Sequence, residues 1–166
     1  MNIVLTGFMA SGKSVISKEI ARISGRVLID TDNLIVKNEG MSINDIFAKH
    51  GEAYFRHAES NAVKLAAKTE NAVISTGGGT VLNRDNINVL RKNGVIVNLA
   101  PDFEVIETRL EKAAVSRPLL QKRDIAEIRR LFEERKPFYE NCDLHIHITD
   151  GKTPEEYARE ILEKVK

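Results

Sequence analysis

The stretch GFMASGKSV, residues 7–15, restricts this chain more than any other feature. Gly7, four intervening residues and Gly12-Lys13-Ser14 fit the spacing G-x-x-x-x-G-K-[ST], which carries meaning only between a strand and a helix. Both flanks are present. The apolar run Ile3-Val4-Leu5 comes before it, and Val15, Ile16, Ile20 and Ile23 recur behind it as the expected apolar face of a helix. Glycines let such a loop curl until successive N–H groups, here those of Ala10, Ser11, Gly12, Lys13, Ser14 and Val15, converge on a phosphate with the positive end of the next helix behind them. Lys13 then reaches the outer phosphates as a point charge, and the Ser14 hydroxyl offers one of the oxygens that Mg²⁺ demands. The plain alternative is a strand-to-helix turn that happens to carry G-K-S.

The rest of the chain narrows the setting. Its 166 residues fit one domain, 1–166, large enough to bury a core without disulfides or structural metals. A net charge of +1 with 30% charged residues lacks the basic excess of a nucleic-acid surface, so a small-molecule partner and no nucleic acid are expected. Cys142 is the single cysteine, which excludes an intrachain disulfide and suits a reducing compartment. The first residues enter a strand at once, leaving no room for a signal peptide, and no apolar run approaches spanning length. A cytoplasmic monomer with no membrane contact is the expectation.

Val- and Ile-rich runs at 2–6, 27–30, 72–76, 95–99 and 144–148 alternate with helical periodicity, which predicts an α/β fold with a mostly parallel sheet covered by helices. Helices are expected near 33, over 42–49, over 52–68 with Phe55, Ala58, Ala62, Leu65 and Ala66 on one face, and over about 84–92, 102–112 and 124–136. Thr153-Pro154-Glu155-Glu156 caps a last one running to the end. The stretch 113–123, AAVSRPLLQKR, carries Arg117-Pro118 between two helices and reads as a mobile connection or lid.

Phosphoryl chemistry also needs carboxylates near a metal. In VLIDTD, Asp30 and Asp32 stand two apart and point the same way, about 7 Å from one another, if the strand continues. One can orient a metal's water shell while the other meets an acceptor hydroxyl. The plain reading is that Asp32 caps the following helix. Gly77-Gly78-Gly79 follows the third strand, and three adjacent glycines imply that something approaches that backbone closely, although a turn alone can use one or two. Ligands bind beyond the carboxyl ends of parallel strands, so the triplet, both aspartates and the phosphate loop should share one rim. Arg56 and Arg135 sit on helical segments where arginine is ordinarily solvated, yet either would clamp an anionic acceptor bidentately. His145 and His147 alternate with apolar residues and read as one polar strand face rather than a metal pair.

Taken together, GFMASGKS, LIDTD, EAYFRHAE, STGGGTV, SRPLL and ERKPFY, in that order and at those separations, resemble the shikimate kinase family over nearly the whole chain. The resemblance implies a three-layer α/β/α P-loop kinase fold similar to nucleoside monophosphate kinases, with five parallel strands in the order 2-3-1-4-5. It implies ATP-dependent phosphorylation of the 3-hydroxyl of shikimate with Mg²⁺, and a substrate-binding helical region over about 32–60. By motif, Asp32, Arg56, Gly78, Gly79 and Arg135 would hold shikimate, with the two arginines on its carboxylate. Ser14 and Asp30 would serve Mg²⁺. Lys13 and the lid residue Arg117 would stabilise charge on the transferring group, making them, with Asp32, the catalytic set. Arg109 would lie near adenine with Lys152 close by, although the register of Arg109 depends on lid length, and lysine lacks the planar group of the arginine common at position 152. The competing readings are another small-metabolite kinase, such as one for gluconate, and a nucleotide-binding regulatory module that transfers nothing; no N-K-x-D guanine motif is present.

Overall fold

A computed structural model of the chain describes residues 1–116 and 124–166. Each apolar run of the sequence becomes a strand: β1 Asn2–Gly7, β2 Val27–Asp30, β3 Ala72–Ser75, β4 Gly94–Pro101 and β5 Leu144–Ile148. Among the described residues they form one sheet in the order β2-β3-β1-β4-β5, with every pairing parallel. Such a sheet must be covered on both faces, and its near-continuous apolar strands require it. One face carries α1 (Lys13–Ser24) and the C-terminal helix α7 (Pro154–Lys164); Ile16, Ile20, Ala158 and Ile161 pack there against Ile3, Leu5, Val97 and Ile146. The opposite face buries Val4, Ile74 and Ile96 under residues of α3 (Ile43–Ala67), α4 (Arg84–Arg91), α5 (Phe103–Ser116) and α6 (Ile125–Tyr139). Each fully buried Ile or Leu contributes about 1.5–3 kcal/mol. The remaining helix, α2 (Thr31–Glu39), packs with α3 around a smaller cluster of Ile35, Ile46, Phe55, Ala58 and Ala62.

Several local expectations need correction. Val15 is 50% exposed and Leu65 45% exposed, so neither belongs to the apolar face assigned to it. Helical periodicity fixes a stripe, but its edges depend on which neighbour covers them. The two helices expected at 42–49 and 52–68 are both present within the span given as α3, separated at Gly51, whose φ of 82° and ψ of 177° are not helical. The connection expected from 113 onward is helical at its start, because α5 continues through Ser116. Arg117 and the rest of that stretch to residue 123 lie outside the described residues. Among the described residues, no helix is long and apolar enough to cross a membrane.

Candidate active site

The phosphate loop links the end of β1 to α1, and its backbone carries the curvature the motif demands. Gly12 has φ 100°, which glycine adopts at little cost, and Ala10 has φ 60°, a left-handed conformation that costs a residue with a Cβ. Gly12 is the N-cap of α1 and provides no side chain to bond the first-turn N–H groups. Those donors, together with the helix dipole, face the loop and form an anion site. Lys13 turns back over the loop: its Nζ donates to the carbonyl oxygens of Gly7 and, at 3.1 Å, Phe8. The residue is half-buried, but its ammonium is enclosed. Desolvation lowers its pKa to about 8 against the opposing fields of Asp32 and Asp30.

The two aspartates divide at the strand end differently from expectation. Strand β2 stops at Asp30 and α2 begins at Thr31, so the extended geometry does not persist. Asp30, rather than Asp32, is the N-cap, and its Oδ1 accepts from the Asn33 N–H at 3.1 Å. Asp32 is thereby released from capping and stands in the first helical turn. Burial, then the neighbouring charges of Asp30 and Glu59, push its pKa up to about 6, while Lys13 and Arg56 act in the opposite sense.

The glycine triplet is where the chain's own side chains converge. A Cβ on Gly77 would lie 2.8 Å from Asp32 Oδ1, and one on Gly79 would collide with Arg56 Nη1. The close approach inferred from three glycines is real, and Asp32 and Arg56 make it. Thr31 Oγ1 accepts from the Gly77 N–H at 3.2 Å, tying the start of α2 to the same backbone. Arg56 is held from below by Glu59, a carboxylate only 2% exposed, which accepts from Arg56 at 3.0 Å and from Thr80 Oγ1 at 3.1 Å. From the other side, α6 brings Arg135 to within 3.7 Å of where a Gly78 side chain would begin. The Nε of Arg135 is buried and meets no acceptor among the described residues, leaving donor capacity unused.

Lys13, Asp30, Asp32, Arg56, Gly78, Gly79 and Arg135 therefore share one rim at the carboxyl ends of β1, β2 and β3. Arg109 joins it from behind: its Nη1 donates to the Ala10 carbonyl at 2.8 Å, and the guanidinium also bonds Asp150 at 3.0 Å. Lys152 forms an ion pair with Glu160 at 3.0 Å, its ammonium 5.5 Å from the centre of the Tyr157 ring. His145 and His147 lie on an exposed strand face, His147 3.3 Å from Asp102. The sequence reading gave Glu59 and Tyr139 no role. Glu59 had one legible signal, its place three residues after Arg56 on a helix, where opposite charges meet.

A phosphate loop at the end of β1 on a parallel 2-3-1-4-5 sheet, with Lys13, Asp32, Arg56 and Arg135 on its rim, places the chain in the class of P-loop α/β kinase folds. The family model for shikimate kinase matches residues 9–166. A shikimate kinase of Caldanaerobacter subterraneus subsp. tengcongensis is 50% identical over 162 residues, 97% of this chain and 94% of the relative. Among solved structures, shikimate kinase from Bacteroides thetaiotaomicron superposes with a TM-score of 0.89 at 31% identity, covering 99% of this chain and 98% of the other. The enzyme from Acinetobacter baumannii, solved in complex with shikimate, gives 0.87 at 30% identity over 99% and 92%. The chain belongs to the shikimate kinase family, enzymes that use ATP to phosphorylate shikimate.

Proposed function

We propose that this chain transfers the terminal phosphoryl group of ATP to the 3-hydroxyl of shikimate, releasing ADP and shikimate 3-phosphate. The observation that carries the proposal is the position of Asp32, which feels both the loop ammonium of Lys13 and the Arg56–Glu59 pair. A hydroxyl bound there has a proton acceptor on one side and a phosphoryl donor on the other. The new P–O bond forms as the bond to the ADP oxygen breaks, and the hydroxyl proton goes to the Asp32 carboxylate. With a pKa near 6, Asp32 is ionised at neutral pH yet basic enough to take that proton.

Arg56 and Arg135 hold the acceptor's carboxylate, with Gly78 and Gly79 offering backbone at close range. The loop N–H groups from Ala10 to Val15 bind the nucleotide phosphates, and Lys13 leaves its two carbonyl partners to follow the charge that moves to the leaving oxygen. Ser14 and Asp30 present hard oxygens at the strand-end rim, a donor set that suits Mg²⁺ retaining most of its water. There Mg²⁺ would neutralise phosphate charge. Arg109, fixed to Ala10 and Asp150, is the guanidinium best set to flank the base, whereas Lys152 is committed to Glu160. Arg117 rests on the family resemblance alone.

The test is ADP formation in the presence of Mg²⁺ and ATP with shikimate, quinate, gluconate and nucleoside monophosphates offered in turn. Rapid, acceptor-dependent release with shikimate and little with the others is expected. Equal rates with AMP and shikimate, or ADP release independent of any acceptor, would overturn the proposal.

A further inference from the structure

Tyr139 closes α6, four residues after Arg135, and is 6% exposed. Its ring packs into the core face that holds Phe8 and Ile128, which is ordinary burial. Its hydroxyl does something else: it donates to the carbonyl oxygen of Gly78. The Arg135 guanidinium faces the same phenol oxygen, and Tyr139 Oη and Arg135 Nη1 lie 3.9 and 3.7 Å from the point where a Gly78 side chain would start. A phenol has one proton to give and lone pairs to offer. With the proton committed to Gly78, the lone pairs remain for Arg135. We propose that Tyr139 is a positioning residue for acceptor binding, fixing the Gly78 peptide and the Arg135 guanidinium in one arrangement through its hydroxyl.

This rests on the proposed role of Arg135 and Gly78 in holding a carboxylated acceptor. The physical case is that of a bidentate clamp, whose value depends on orientation more than on charge. An arginine on the last turns of a helix has many rotamers, and a glycine peptide can rotate freely. One buried hydroxyl removes both freedoms at once. Burial, first among several influences, pushes the phenol pKa up to about 12, so the donor stays protonated at any pH at which a kinase is assayed.

Tyr139→Phe keeps the ring and removes the hydroxyl. The expected result is a rise of about five- to twentyfold in KM for shikimate, with KM for ATP unchanged and kcat within about twofold. In an Arg135→Ala background the same substitution should have a clearly smaller effect, because one of the two groups it orients is gone and only the Gly78 peptide remains to be fixed. An unchanged KM for shikimate, equal rises for both substrates, or an undiminished effect without Arg135 would each overturn the proposal. Should Tyr139→Phe not fold, 3,5-difluorotyrosine placed at position 139 retains shape but lowers the phenol pKa. KM for shikimate should then climb with pH where the unmodified protein's does not, and a parallel pH dependence in both proteins would count against the inference. If the acceptor panel selects gluconate instead, the shikimate reading falls, while the Tyr139 measurement is made with gluconate and still decides.

Discussion

At the scale of single residues, the site is an arrangement of groups kept from their ordinary ionisation. Asp32 is pushed up to about 6 and Lys13 down to about 8, each by loss of water before any neighbour acts. Asp32 must be ionised to accept a proton and Lys13 charged to draw a phosphoryl group. The kcat/KM of the free enzyme for ATP, taken at fixed shikimate, should therefore follow a bell with limbs near pH 6 and pH 8. At saturating ATP the alkaline limb should move upward, since phosphate charge beside Lys13 favours its protonated form. A profile flat from pH 5 to 9 would separate these residues from the chemistry.

At the scale of elements, the question is how helices α2, α3 and α6 reach one glycine turn. Space above Gly79 is filled by the Arg56 guanidinium, and the approach is so close that even a methyl group displaces it. Gly79→Ala should thus raise KM for shikimate at least tenfold while leaving ATP affinity intact, as read by calorimetry and steady-state rates. Equal loss for both substrates would indicate general disruption of the rim. Much of this element-level plan was legible: strand positions, the parallel sheet and the strand-turn-helix of the phosphate loop follow from apolar runs and spacing. The change from strand to helix between Asp30 and Thr31 was not, because a single ψ angle decides it and either aspartate can cap. The contacts of Glu59 with Thr80 and of Tyr139 with Gly78 were equally hidden, since those groups come from other elements.

For the molecule as a whole, the rim is a place where stability is given up. An Asp with a pKa raised from an unfolded value near 3.9 favours the folded state only when protonated. Its contribution is therefore unfavourable above pH 6 and improves as pH falls from 6 towards 4. Asp32→Asn should stabilise the protein at pH 7 by about 1–2 kcal/mol, roughly 2–6 °C in Tm, while abolishing most transfer and retaining Mg-ATP binding. Most of the gain should be lost by pH 4, where the folded Asp32 is protonated and the unfolded one about half ionised, and the rest below the unfolded pKa. Thermal unfolding at the two pH values checks the sign, and a variant less stable at pH 7 than at pH 4 relative to the parent would contradict it.

The hydrogen bonds from Lys13 to Gly7 and Phe8 also bear on what happens after each turnover. When ADP departs, it takes away the anion that had balanced an enclosed cation. Without an alternative resting place, that cation would hold the product back. The two carbonyls give it one, so the empty loop is a tolerable state rather than a stranded one, and product can leave at a cost the protein itself partly offsets.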